Sequence, residues 1–137
     1  MLIPNVIRPA HEWRDPRHRR GLASELAASQ DLESRGWTIL AHRFRWGHHD
    51  IDLIARRGSL LVFVEVKGRQ EGGQFGTGRE SVGWKKRRVV ELVAQLWVAR
   101  HGSASDQYRF DVMEVTWADA GFPHVVHIED AWRSVRK

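Results

Sequence analysis

Asp52 and Glu65 are charged residues set into otherwise apolar stretches, Ile51 to Ala55 and Leu60 to Val66, and Lys67 follows the second directly. The pairing of the two stretches decides whether they meet. Gly58-Ser59 lies between them and makes a good two-residue hairpin loop, which pairs Arg57 with Leu60. Counting outward from that pair sets Asp52 opposite Glu65 and Asp50 opposite Lys67. One face of the hairpin then reads Ile51 with Val66, Leu53 with Val64 and Ala55 with Val62, a wholly apolar set expected in the core. The other face reads Ile54 with Phe63 before switching to the charged pairs. A slip of one residue would place Leu53 against Glu65 and Asp52 against Val66, mixing charge into both faces, so the pattern selects the first register.

Directly opposed residues on paired strands have Cβ atoms about 4.5–5.5 Å apart, and like charges at that distance repel. A hard divalent cation, Mg²⁺ or Mn²⁺, between Asp52 and Glu65 removes the repulsion. Such a cation takes one or two carboxylates and fills its remaining positions with waters and phosphate oxygens. That ligand set suits phosphodiester hydrolysis, which needs a metal, an activated water and a positive group near the developing charge. Asp52 and Glu65 are the expected metal ligands, with the carbonyl of Val66 as a further one. Lys67 is expected to orient the attacking water and offset charge in the transition state. Asp50 would bind a second cation or pair with Lys67; the sequence does not choose. The competing reading is a strand-end ion-pair cluster neutralised by Lys67 and nearby arginines. A lysine two residues after Glu65, on the same face and beside a second acid, favours the metal site.

The elements that must carry these residues follow from hydrophobic period and turn residues. Leu22, Leu26, Ala28 and Leu32 recur at helical spacing from Gly21 onward, and Gly36 ends that helix. Glu25 lies among them, as either a flank residue reaching solvent or an inward-facing acid joining the cluster. Strands are expected at Trp37 to Phe44, Ile51 to Ala55 and Leu60 to Val66, followed by a glycine-rich loop from Gly68 to Gly78. A second helix carries Val82, Val89, Val93 and Leu96 on one stripe, with Gly102 beyond its end. Tyr108 to Trp117 reads as a further strand, and His124 to Ile128 as a short last one. The order α-β-β-β-α-β-(β) gives an α/β fold: a mixed sheet with antiparallel first strands, flanked by helices.

The 137 residues suffice for one domain, and 42% hydrophobic content argues against global disorder. Residues 1–20 hold Pro4, Pro9, Pro16 and the basic string Arg14, Arg17, His18, Arg19, Arg20, which reads as an extended arm ahead of a single domain at 21–137. Twenty-two Lys and Arg against 17 acids leave a net charge of +5, which suits nucleic acid or another anionic surface. With no cysteine there is no disulfide, thiol catalysis or Cys-based metal site. No apolar run is long enough to span a membrane, so a soluble cytoplasmic protein is expected.

Lys85, Lys86, Arg87 and Arg88 open the second helix, where one or two of them, Lys85 first, would meet phosphates and the rest face solvent. His42, His48 and His49 lack a zinc spacing and read as solvated. Among the seven tryptophans, Trp37, Trp97 and Trp117 belong to the core. Trp46 and Trp84 flank the charged site and would stack on bases or pack on protein. Asp111 reads as a partner of Arg109.

The same residues carry a resemblance. Gly21 with Glu25, the turn from Leu32 to Gly36-Trp37, Asp50 to Ala55, Phe63 to Lys67 with Arg69, Phe75-Gly76, Lys85 and Arg109 to Val112 resemble the YraN family. That family is described as endonuclease-like, with a restriction-endonuclease-like fold similar to archaeal Holliday-junction resolvases. The resemblance implies that Glu25, Asp52, Glu65 and Lys67 occupy active-site positions of the PD-(D/E)xK type and that Lys85 lies near phosphates. Lys86 and Arg69 are expected to join it on nucleic acid. His49-Asp50 departs from the Gly-Glu usual in the family. The expected activity is metal-dependent cleavage of DNA, more than RNA, with branched or junction DNA among the substrates. Junction cutting would require a homodimer with two sites. The alternatives are a non-catalytic nucleic-acid-binding module that keeps the fold, or an interaction protein whose charged cluster is an ion-pair network.

Overall fold

The computed structural model describes residues 16–70, 83–118 and 122–134, with side chains from residue 21 onward. Seven elements run in chain order: α1 (Pro16–Ser34), β1 (Thr38–Trp46), β2 (His49–Arg57), β3 (Leu60–Gln70), α2 (Trp84–His101), β4 (Gln107–Trp117) and β5 (His124–Trp132). This is the expected order, with the last strand present. The strands form one sheet in the order β1-β2-β3-β4-β5. Tight turns join β1 to β2 and β2 to β3, so those neighbours are antiparallel. From β3 to β4 the chain passes through α2, and these two strands are parallel; β5 returns antiparallel to β4. The result is a mixed α/β fold.

The central strands are buried on both faces, so each face needs a cover. Leu53, Ala55, Val62, Val64, Met113 and Val115 pack with Ala28 and Leu32 of α1 and with Trp37. Ile54, Leu61, Phe63 and Val112 pack with Val90, Val93, Ala94 and Trp97 of α2. Alternation along β2 and β3 puts these two sets on opposite sides, so the sheet lies between the helices. Trp37 and Trp97 are core residues, whereas Trp117 is half-buried and donates its indole N–H to Ser24 Oγ at 2.9 Å.

The helices depart from the expected phases in ways that matter below. α1 begins at Pro16, inside the stretch expected to be an arm, because proline's fixed φ suits a first helical turn and its missing N–H is not needed there. Residues 1–15 lie outside the described residues. The buried side of α1 is Leu22, Glu25, Ser29 and Leu32, together with Ser24 and Ala28, while Leu26 is 43% exposed. α2 buries Val90, Val93, Ala94 and Trp97, one residue out of phase with a stripe through Val89 and Leu96; Val82 is outside the described residues.

Gly68, expected to open a loop, instead continues β3 opposite Val115, with Arg69 and Gln70 paired after it. The rest of the expected loop, Phe75-Gly76 included, lies outside the described residues. A Cβ on Gly68 would overlap Ser24 Oγ and press on Ser24 Cβ, so the absence of a side chain lets α1 close on β3. Gly68→Ala is therefore expected to destabilise the protein by about 1–3 kcal/mol. Thermal unfolding would read this, and the added substitution Ser24→Gly should recover much of the loss. A Gly68→Ala protein as stable as the parent would show that the contact yields freely.

Candidate active site

From the Gly58-Ser59 turn outward the β2–β3 register is the expected one, Arg57 with Leu60 through Leu53 with Val64. There the backbone ladder stops. The Val66 N–H donates to Asp52 Oδ2 at 2.8 Å, and the Asp52 N–H points at Glu65 Oε2, 3.5 Å away. Asp52 and Glu65 thus meet as the sequence requires, but their carboxylates replace the ladder bonds. The backbone pairs expected at Asp52/Glu65 and Asp50/Lys67 are not part of the ladder.

A second irregularity faces the same point from β1. The β1–β2 register runs from His42 with Leu53 to Phe44 with Ile51 and passes over Arg43 and Asp52. Arg43 has φ of 50°, a left-handed backbone that is uncommon for a residue with a side chain. The turn exchanges the faces of the residues on either side of it. Ile51 consequently packs with Ile54 and Phe63 under α2, rather than with Leu53 and Ala55 as strict alternation requires.

The carboxylates are held against their own charge. Glu65 is 1% exposed, and its Oε1 lies 3.2 Å from Lys86 Nζ, a residue of the first turn of α2. Burial raises the Glu65 pKa more than Lys86 and Lys67 lower it. Half-buried Asp52 is pushed well above the usual carboxylate range by burial, then by Glu65 and Glu25, against the pull of the Val66 N–H. Glu25 is 3% exposed, so it is the inward-facing acid of the two alternatives. Burial raises its pKa as well, opposed by Arg43, which grips it with Nε at 2.9 Å from both oxygens and Nη2 at 2.7 Å from Oε2.

The fold therefore gathers Asp52, Glu65, Lys67, Glu25 and Lys86 around the opening between β2 and β3. Asp50 adds negative charge felt by Glu25 and Asp52. Lys67 is half-buried and two residues beyond Glu65. Lys85, expected to lead the phosphate contacts, is on the exposed side of α2, and Arg69 is tied to Glu114 at 2.6 Å. Trp84 (69%) and Trp46 (43%) are exposed; the guanidinium of Arg100 lies 4.9 Å from the Trp46 ring. Sequence reasoning missed Arg43. Ala41 and Phe44, three apart yet both facing α2, carried the signal, since a regular strand cannot bury both on one side.

Among the described residues no three His, Asp or Glu side chains converge as metal ligands. The opening offers two carboxylates, and with the Val66 backbone oxygen expected from the sequence they make a hard-oxygen set. It fits Mg²⁺ or Mn²⁺, which keep waters and share phosphate oxygens, better than zinc. Burial raises Asp52 first and repulsion from Glu65 and Glu25 adds to it; such an ion would offset both. A cavity of about 800 Å³ lined by Leu60, Phe63, Tyr108, Phe110 and Trp132 lies elsewhere on the α2 face and holds none of these charges. Arg109 and Arg133 also line it, but Arg109 is held by Asp111 and Arg133 by Asp130, and the paired acids lie at the charged opening instead.

Comparison with known proteins gives a consistent match. The model of the uncharacterised protein family UPF0102 matches residues 24–115. A UPF0102 protein of Xanthomonas campestris is 41% identical over 119 residues, 85% of this chain and 93% of that protein. One from Symbiobacterium thermophilum is 45% identical over 97 residues, 71% of this chain and 81% of its own length. One from Anaeromyxobacter dehalogenans is 40% identical over 118 residues, covering 86% and 87%.

Proposed function

The chain belongs to the uncharacterised protein family UPF0102, and from that premise we propose that it is a metal-dependent endonuclease that hydrolyses phosphodiester bonds in DNA. The observation that carries the reading is the meeting of the Asp52 and Glu65 carboxylates where the β2–β3 ladder opens, with Lys67 beside them and Glu25 behind. Two acids raised by burial, Asp52 also by Glu65, cost stability and call for a cation.

Asp52 and Glu65 would hold Mg²⁺ or Mn²⁺ with the Val66 carbonyl. When bound, the ion neutralises the phosphate and makes water a nucleophile near neutral pH. Lys67 orients that water and offsets charge gathering on the phosphate oxygens. Arg43 fixes Glu25 in place by a bidentate bond, so that its charge acts on Asp52 from a set position. This reading makes the mixed sheet a restriction-endonuclease-like core of the PD-(D/E)xK type, as in the YraN resemblance. It favours DNA over RNA, includes branched or junction DNA among the substrates, and requires a homodimer for paired cuts. The location it implies is the cytoplasm. No helix among the described residues is long and apolar enough to cross a membrane.

One observation favours a second reading: Lys86 already neutralises Glu65. On that reading the chain is a nucleic-acid-binding module that keeps the fold without cutting. Mn²⁺ titration by calorimetry into the parent protein and the Asp52→Asn/Glu65→Gln variant separates the two, followed by cleavage assays on branched and linear DNA. Binding and cleavage lost together in the variant support the nuclease. A parent that binds no Mn²⁺ is the binding module.

A further inference from the structure

Lys86 occupies the position from which a metal would have to draw Glu65. Its Nζ is 3.2 Å from Oε1 of a carboxylate that is 1% exposed, so the pair is the main neutralisation of a buried charge. Lys86 itself is half-exposed, with its side chain 38% open to solvent. It reaches the opening because helix phase turns it there, four residues ahead of buried Val90 and in line with Val93 and Trp97. The neighbouring Lys85 points away and is exposed. Glu65 thus has one lysine on its own strand, Lys67, and a second delivered by α2.

Glu65 turns Oε2 toward Asp52 and Oε1 toward Lys86, so a divalent ion on the two acids would share one carboxylate with the ammonium and repel it. Like charges that close repel strongly near a protein surface, and the ion carries two. The ammonium sits on a flexible four-carbon stem with solvent beside it, so it can leave without disturbing α2. From the same anchor it then reaches the solvent side of the opening, where a phosphate must approach.

Resting on the nuclease reading, we propose that Lys86 is an exchangeable cation. It stands on Glu65 in the metal-free protein, gives up that carboxylate when a divalent metal enters, and transfers to a phosphate oxygen of the substrate. The exchange keeps the opening near neutrality at each stage: lysine on carboxylate, then metal on carboxylates with lysine on phosphate. No bond is made or broken in it.

The test uses the full chain with Lys86→Met and Lys86→Arg. Mn²⁺ affinity is measured by calorimetry without DNA. Binding of a fluorescent branched DNA is measured in Ca²⁺, and folding is checked by circular dichroism. Lys86→Met removes the competitor, so Mn²⁺ should bind about tenfold tighter while DNA binds several-fold weaker. These opposite shifts are the signature of exchange, since one tenfold step corresponds to about 1.4 kcal/mol. Lys86→Arg keeps a cation and should leave Mn²⁺ affinity within about twofold of the parent. If Lys86→Met leaves Mn²⁺ affinity unchanged or weakened in a parent that binds Mn²⁺, the exchange is wrong and the nuclease reading stands. If neither parent nor variant binds Mn²⁺, the nuclease reading fails with it. Should Lys86→Met not fold, the comparison moves to Lys86→Gln with the same outcomes.

Discussion

Glu65→Gln is expected to lower metal-dependent cleavage by about 10³-fold or more while the protein stays folded. The substitution keeps the shape of a side chain that is 1% exposed but removes the charge a metal needs. The several kcal/mol of charge stabilisation supplied by a bound metal convert to that loss at about 1.4 kcal/mol per factor of ten. Asp52→Asn should behave alike, and calorimetry should show Mn²⁺ binding lost with the activity. The two acids also give a stability signature of definite sign. Both have folded-state pKa values raised by burial first, and Asp52 also by Glu65. A raised carboxylate holds its proton more tightly when folded. Its contribution is therefore favourable below the ordinary carboxylate value and is lost as pH climbs through the raised one. In EDTA the parent should lose stability across that rise, and Asp52→Asn should be the more stable protein at neutral pH, by about 1 kcal/mol, as when strain at a functional site is relieved. Thermal melts in EDTA at several pH values would show it. Full cleavage activity in either variant would remove both residues from the proposed site.

Asp111→Ala should have the largest effect on stability, with no part in the chemistry. Asp111 is fully buried and accepts from Arg109 Nε at 2.8 Å and Nη2 at 2.9 Å, and from the Asp130 N–H at 3.0 Å; His127 Nε2 lies 2.6 Å from its Oδ2. Arg109 is the partner expected from the sequence. Asp130, whose φ is 51°, is held in its left-handed conformation by this bond. Removing the carboxylate strands a largely buried guanidinium, at a cost of about 3–5 kcal/mol. For a domain of this size that is a fall in Tm of about 10 °C or more. Burial alone would raise the Asp111 pKa, but His127, Arg109 and the Asp130 N–H outweigh it and the net shift is downward. A depressed carboxylate contributes above its ordinary value and loses that contribution as pH falls through the folded one. The parent should therefore lose this part of its stability only in acid, below about pH 4. Urea melts at pH 3 and pH 7 would show the difference between parent and Asp111→Ala shrinking in acid. An undiminished gap would mean that the network draws its strength from packing instead.

Much of this architecture could be read from local signals. A two-residue turn fixes a register, and a register fixes which side chains oppose, so the meeting of Asp52 with Glu65 followed from Gly58-Ser59 and the apolar alternation. What was not legible depended on long-range phase. Glu25 sits on a helix whose buried side runs through Ser24 and Ser29, so composition alone could not tell an inward acid from a flank. Four consecutive basic residues open α2, and only the docking of Val90, Val93 and Trp97 decides that Lys86 turns in and Lys85 out. Gly68 looked like loop because glycines follow it, yet α1 needs its bare Cα to approach β3.

The left-handed Arg43 separates the outer tip of the β1–β2 hairpin from the stretch nearer the Gly58 turn, where a further bulge falls between Ile39 and Ala41. Between Asp52 and the Gly58 turn, Leu53 and Ala55 meet one cover and Ile54 the other, so a single inserted residue there would hand Leu53 and Ala55 to the wrong helix. Beyond Arg43 and Ile51 the phase has already been reset, and Arg45, Trp46, Gly47, His48 and His49 are all exposed. Growth or shortening of that outer tip leaves Asp52 where it is. The rim beside the acids is therefore the part of the molecule whose length is free to vary, while the acids themselves stay pinned to the core.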